Sequence, residues 1–420
     1  MEKLLIFIQK HASDETARLI LDRKKYPEID IDLAVNCIES RRKLKGKVPE
    51  WYENPNLIFP LKLSAEQCSS SATGSYKANL AEKIAGASFN DHPHDTRTDE
   101  ADKGWKIADL TGGLGIDSWF FSQKASKVIY NEMQQTLCEA ARHNFKILRA
   151  DNIEISNNVA GIDTIDGILG ENIDIVYIDP ARRGEGGKKV FLIEECTPDV
   201  LTLKEEIFRH VRHILVKLSP MADISMVCNR LGKNCREVHV VATSGECKEL
   251  LIWMDREWNG EYDVIASELQ SDGSASSFSF TLSGERSARA AWASTVGRFL
   301  FEPGKALMKA GAFNLISERS GISKFGVSTH YYTTDCEKTA HTLKRLGKVY
   351  ETIEYLPLDK RSLKYFGKSY PKSDVTARNI PMDSETLKKK MGITSGDDAH
   401  IFGLKSDSLG NLIIAARRLH

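Results

Sequence analysis

Between residues 105 and 282 short apolar runs alternate with stretches of helical spacing. The runs near 107–110, 127–130, 153–158, 173–178, 213–218 and 238–242 are too short for helices. They read as strands buried on both faces of a parallel sheet. Ser277-Phe278-Ser279-Phe280-Thr281 alternates instead and is expected to be a seventh, antiparallel strand. The intervening segments carry helical stripes, such as Leu137, Ala140, Ala141 and Phe145. This alternation predicts an α/β domain. Residues 1–62 show two helical stripes, one through Thr16, Leu19, Ile20 and Leu21, the other through Leu33, Ala34, Cys37 and Ile38. They predict an N-terminal helical region. The second stripe runs into a basic stretch, Arg41 to Lys47, which suits either a helix C-terminus or a phosphate-contacting edge. Residues 87–104 are polar and read as a loop carrying His92 and His94.

After 282 the pattern changes. Residues 283–337 suggest a small connecting α/β unit with an apolar helix face at Ala306, Leu307, Ala310, Phe313 and Leu315. Residues 338–420 open with a strand near 349–355, continue through a basic region and end in a hairpin around Ser408-Leu409-Gly410. The expected domains are therefore 1–62, 63–282, 283–337 and 338–420.

The most informative stretch is Asp109-Leu110-Thr111-Gly112-Gly113-Leu114-Gly115-Ile116-Asp117. An apolar strand ends in an acid, a glycine turn follows and a helix begins, which makes a nucleotide-binding crevice. No Gly-Lys-Ser/Thr follows the turn, so it is not a Walker A loop. Ser118 stands where a dinucleotide fingerprint needs its third glycine. The next strand is followed by Glu132, placed as the acid that accepts hydrogen bonds from ribose hydroxyls in such crevices. A further apolar strand ends in Asp179-Pro180-Ala181-Arg182-Arg183. Pro180 stops the strand and leaves Asp179 at the same sheet edge. Asp179 can orient or deprotonate a target atom, and Arg182 can hold a phosphate or a base edge.

Asp109-x-x-x-Gly113-x-Gly115 resembles motif I of the class I S-adenosylmethionine (SAM) methyltransferases, with Thr111 in place of the first glycine. Asp179-Pro180 resembles the motif IV position of nucleic-acid methyltransferases, although Ala181 and Arg182 depart from the Asn/Asp-Pro-Pro-Tyr/Phe form. Ahead of the sheet, residues 63–78 resemble a segment found before motif I in one group of bacterial methyltransferases. In that group a THUMP-like domain follows, and Arg378-Asn379-Ile380-Pro381, the Gly396-Asp397-Asp398 turn and the final strand resemble it. The resemblance implies a Rossmann-like seven-stranded methyltransferase sheet, SAM as cofactor and RNA as partner. Asp109, Thr111, Gly113, Gly115, Asp117, Glu132 and Asn158 are the implied cofactor-binding residues. Asp179, Pro180 and Arg182 are the candidate catalytic residues, and Gln67, Ser70, Thr73, Lys77, Arg183 and Lys217 the candidate substrate contacts. The alternatives left open are an RNA-binding protein that keeps the fold without activity, and a protein or small-molecule methyltransferase.

Composition adds limits. The 58 basic and 58 acidic side chains leave no net charge, so a nucleic-acid partner must be recognised by local patches. Eight scattered cysteines form no C-x-x-C pair, which points to a reducing cytoplasmic setting and away from a zinc cage. No apolar stretch is long enough to cross a membrane. Ala181 and Ser219 stand where a carbon-methylating cysteine would sit, so covalent pyrimidine C5 chemistry is disfavoured. No metal is expected.

Overall fold

The computed structural model describes residues 2–91, 104–182 and 192–419. His92, His94, Arg183 and the basic glycine-rich stretch at 184–189 lie outside the described residues. Two compact units are present, one comprising Met1–Arg236 with Leu251–Gly260, the other Glu237–Leu250 with Glu261–His420.

The first sheet is made of β1 (Lys106–Asp109), β2 (Lys127–Asn131), β3 (Ile153–Ser156), β4 (Ile175–Ile178), β5 (His213–Leu218), β6 (Cys235–Thr243), β7 (Glu246–Asp255), β8 (Asp263–Leu269) and β9 (Ala275–Thr281). Its order is β9-β8-β6-β7-β5-β4-β1-β2-β3. β1 pairs in parallel with β2 and β4, β2 with β3, and β4 with β5. The strand order therefore reverses between β1 and β4, the switch point where open α/β sheets bind ligands.

Ser277–Thr281 does not take the seventh place. It lies in β9, an edge strand antiparallel to β8. The strand between β5 and β6 is β7, with a continuous buried run from Glu249 to Asp255. Ser244 and Gly245, both at positive φ, form the two-residue turn that folds β7 back against β6.

Three helices matter for the site: α1 (Ser71–Asp91), α2 (Ile116–Ser122) and α3 (Gln135–Ile147). The two stripes form helices at Thr16–Leu21 and Ile31–Leu44, and further short helices lie at Glu2–Lys10, Pro49–Tyr52 and Lys62–Gln67. Trp51 and Phe59 share a core with Tyr130 and Phe145. Asn144, buried on α3, exchanges two 2.8 Å hydrogen bonds with the backbone of Ile58, as a neighbouring strand would. Much of the basic stretch is committed internally. Arg41 donates to the carbonyls of Tyr52, Asn54 and Leu57, Arg42 to those of Ala12 and Asp14, and Lys47 to those of Ala65 and Glu66.

The second sheet comprises β10 (Ala291–Trp292), β11 (Phe299–Pro303), β12 (Ser323–Lys324), β13 (Tyr332–Thr334), β14 (Gly347–Pro357), β15 (Lys372–Arg378), β16 (Thr394–Ser406) and β17 (Gly410–Arg418). Its order is β10-β12-β13-β11-β14-β17-β16-β15. β16 and β17 form the expected hairpin, antiparallel from His400↔Ala416 to Ser406↔Gly410. Two helices, α4 (Lys360–Ser369) and α5 (Ser384–Met391), close a core in which Phe366, Leu387 and Met391 meet Ile401 and Ile413.

Candidate active site

Because β2, β1 and β4 are parallel neighbours, the residues that follow them gather at one edge. The turn after β1 is held from both sides. Leu110 N–H donates to the Tyr177 carbonyl at 3.0 Å, and Gly112 N–H to the Asn131 carbonyl at 2.8 Å. A Cβ at Gly112 would lie 2.2 Å from the Tyr130 ring, so the backbone can pass only without a side chain. The Tyr130 hydroxyl donates to the Gly113 carbonyl at 2.6 Å. Gly115, at φ +88°, begins α2 against Phe145.

Gly113 faces the other way. Its φ is +55°, and among the described residues beyond its chain neighbours the one atom within 4 Å of a Cβ placed there would be the Thr111 carbonyl oxygen, at 3.9 Å. Its N–H donates to Glu132 Oε2 at 3.0 Å, while Glu132 Oε1 accepts from Gln134 N–H at 2.8 Å. Glu132 is thus fixed beside the open glycine, and each carboxylate oxygen keeps further acceptor capacity. Asn131 links the neighbouring strand ends. Its amide donates to the carbonyls of Leu110 and Asn158, and its oxygen accepts from Ser156 Oγ and Asn158 N–H. Asn158 is exposed at the rim.

Asp109 is 1% exposed. Its carboxylate accepts from Ser118 Oγ at 2.6 Å and from Thr111 N–H at 3.0 Å, so it shapes the turn. Burial pushes its pKa up to about 7, opposed by those two hydrogen bonds and reinforced by Asp117 and Asp179 nearby. The Thr111 hydroxyl accepts from Asp179 N–H at 2.7 Å, which ties the glycine turn to the loop after β4.

Asp117 is the hub of a second cluster. It accepts from Ser69 Oγ and from the Tyr177 hydroxyl, each at 2.9 Å, and lies 3.3 Å from the Lys77 ammonium. Lys77 is fully buried on α1 and donates to Ser69 Oγ at 2.9 Å. Burial alone would raise the Asp117 pKa. Lys77 and Lys217, with the two hydroxyl donors, reverse the sign and hold it below the usual carboxylate range. Lys217, on β5, sits 2.5 Å from Asp179 Oδ2. The Asp179 side chain is 36% exposed, and Pro180 behind it is buried. Asp179 is therefore the acid of this trio that presents itself to a ligand.

Lys77 and Lys217 are thus enclosed within the carboxylate cluster. Ser70 and Thr73 cap the start of α1 reciprocally, with Ser70 N–H on Thr73 Oγ1 at 3.0 Å and Thr73 N–H on Ser70 Oγ at 3.3 Å. Gln67 is exposed at the end of its helix. Ala181–Arg182 forms a two-residue strand antiparallel to Cys196–Thr197. The pattern reading passed over Ser69, Ser118, Tyr177 and Asn131. Only Asn131 carried a usable signal, as a polar residue closing an apolar strand beside the glycine turn. Among the described residues no group of three or more side chains is arranged to ligate a metal.

A SAM molecule needs bare backbone at the turn and an acid for its ribose hydroxyls. Gly113 and Glu132 meet both requirements, so the residues present fit the group. Residues 299–339 match a ferredoxin-like domain model, and residues 347–418 match a THUMP domain-like model. The whole chain resembles a crystal structure of a candidate methyltransferase from Porphyromonas gingivalis W83. The TM-score is 0.83 at 27% identity, covering 100% of this chain and 98% of that one. This chain has the class I methyltransferase fold and carries a THUMP-like domain. Weaker, partial likenesses are to an rRNA methylase from Streptococcus thermophilus (TM-score 0.29, 14% identity, 37% of this chain and 88% of that one) and to M. capricolum TrmK in complex with S-adenosyl-homocysteine (0.28, 12%, 44% and 69%). At those scores neither bears on the substrate. No curated protein matches the chain by sequence.

Proposed function

We infer that this protein is a SAM-dependent methyltransferase that modifies a nucleotide in RNA. The observation that carries the reading is the convergence at one sheet edge of an open glycine, a fixed acid beside it and a half-exposed acid backed by a lysine. SAM, when bound, supplies an activated methyl group. Gly113 lets its amino-acid end approach the backbone, and Glu132 takes its ribose hydroxyls. Asp109 sets the turn and, once ionised above about pH 7, adds negative charge on the ammonium's side. Asp179 orients the nucleophilic nitrogen or oxygen of the target, or accepts its proton, and Lys217 fixes the Asp179 carboxylate. The Thr111–Asp179 hydrogen bond couples the two halves, so the cofactor turn and the target acid are placed together. Most of the rate gain then comes from alignment. RNA as acceptor is supported by the THUMP-like domain at 347–418. The eight free cysteines fit a cytoplasmic location. Among the described residues no helix is long and apolar enough to cross a membrane.

The test is transfer of labelled methyl from SAM to total RNA of a cell lacking the protein, followed by nucleoside analysis. A labelled nucleoside is expected. Asp179→Asn should keep SAM affinity and lose about 10²- to 10⁴-fold in transfer. SAM binding with no label in RNA would overturn the RNA assignment.

A further inference from the structure

The neutral balance of the whole chain breaks down on two helices. α4 carries Lys360, Arg361, Lys364 and Lys368 and no acid, and α5 carries Lys388, Lys389 and Lys390 against Glu385 alone. On α4, Arg361, Lys364, Tyr365 and Lys368 are spaced i, i+3, i+4, i+7 and all are exposed, so they line one face. Ser362 and Phe366 fill the opposite face. On α5 the buried residues are Leu387 and Met391, while Lys389 and Lys390 are exposed. The helices touch at Gly367, where a Cβ would lie 1.9 Å from the Met391 carbonyl oxygen. That close approach sets the last turn of α5, with its three lysines, beside α4.

These cations are not spent within the fold. Among the described residues, Lys360, Arg361, Lys364, Lys368, Lys389 and Lys390 form no ion pair. Like charges at i, i+3 and i, i+4 weaken a helix. The helix dipole favours the lysines that end α5, yet it opposes Lys360 and Arg361 in the first turn of α4. Asp359 partly offsets that by accepting from Arg361 and Ser362 N–H, each at 2.8 Å. Asp359 and Asp383 at the helix starts give Arg361 and Lys389 only longer-range attraction, so most of this row's charge is left for an outside anion.

We propose that the α4–α5 face docks the phosphate backbone of the RNA acceptor, with Tyr365 offering its ring to an unpaired base. The inference rests on the RNA reading above and assigns it a surface. Tyr365 is 47% exposed, and its hydroxyl donates to Glu354 Oε2 at 3.2 Å, so the ring is held among the cations. Cations tracking phosphates with an aromatic platform between them are what single strands require. A membrane surface fits less well, since Tyr365 is the one large exposed apolar side chain on α4 and it is tethered by its hydroxyl.

The experiment uses the full chain, a labelled mixed-sequence RNA oligonucleotide and a salt titration. The probe is sufficient because phosphate contacts are sequence-independent. Lys364→Gln/Lys368→Gln/Lys389→Gln/Lys390→Gln should lose about tenfold or more in affinity. Its slope of log K against log salt should become shallower by about 3, because each phosphate contact contributes roughly 0.7–0.9. SAM affinity should be unchanged, and the melting temperature should shift by no more than a few degrees, since the repulsion removed offsets the helix-dipole term lost with Lys389 and Lys390. Tyr365→Ala should weaken binding with no change of slope. Equal affinity and slope in wild type and quadruple variant would overturn this docking face and leave the RNA reading standing. A wild-type protein that binds no RNA would remove that reading and the face with it. Wild-type binding to phosphatidylserine vesicles in place of RNA would reassign the face to a membrane.

Discussion

Asp109, Asp117 and Asp179 are chemically identical, and their surroundings give them different work. Asp109 is buried without a cation of its own, so burial dominates and its pKa rises to about 7. Asp117 is also enclosed, but Lys77 and Lys217 hold its pKa low. Asp179 is left half open on Lys217. The Asp109 shift has a stability consequence. An unfolded aspartate releases its proton near pH 4, whereas the folded protein keeps this one until about pH 7. Between those values the unfolded state binds fewer protons than the folded state, so stability falls as pH rises, and the loss is complete above about 7. Asp109→Asn should remove that slope, so denaturant unfolding should show the variant gaining on wild type from about pH 4 to 7 and no further. A constant difference across the range would place the proton elsewhere. The three strand-end acids Asp109, Glu132 and Asp179 were legible in the sequence because each follows an apolar run. Ser69, Ser118 and Tyr177 were not, because a hydroxyl carries no pattern and two of the three bond to a carboxylate 48 or 60 positions away.

Strand position follows the same logic one level up. β9 alternates, and alternation marks a strand with one wet face; its burial pattern and place in the sheet make it an edge. β7 fills the interior place with the run Leu250-Leu251-Ile252-Trp253-Met254, which is apolar on both faces and shows no period to read. The strand–turn–helix at β1 was legible because its glycines are forced by packing and by conformation. These two causes separate experimentally. Gly112→Ala drives a methyl into Tyr130 and should destabilise the fold by about 1–3 kcal/mol. Gly113→Ala meets no close neighbour, so its cost to stability should be about 1 kcal/mol, from the positive φ alone. Its larger effect should fall on SAM affinity. Thermal unfolding and calorimetric SAM titration of both variants check the contrast, and parallel losses in the two would merge the roles.

For the whole molecule, a neutral total charge conceals a polarised one, which composition cannot reveal and the placement of α4 and α5 can. The two ligands should therefore respond differently to salt. Between roughly 50 and 200 mM, kcat/KM for RNA should fall steeply while SAM affinity changes little. Steady-state kinetics at several salt concentrations would show it, and a parallel response of both would contradict a separate polyanion surface. The Asp117 hub has a consequence of another kind, for the order of events during synthesis. Lys77 leaves the ribosome 100 residues ahead of Tyr177 and 40 ahead of Asp117. At about 5–20 residues per second, Lys77 waits on the order of 2–8 s for the Asp117 carboxylate, and the Tyr177 hydroxyl that completes the hub follows at about 5–20 s. An ammonium without its carboxylate stays in water. The nascent N-terminal helices are thus kept from burying the Lys77 face of α1 prematurely, and a lysine later sealed from solvent acts in the meantime as a timer that holds that face open until the sheet arrives.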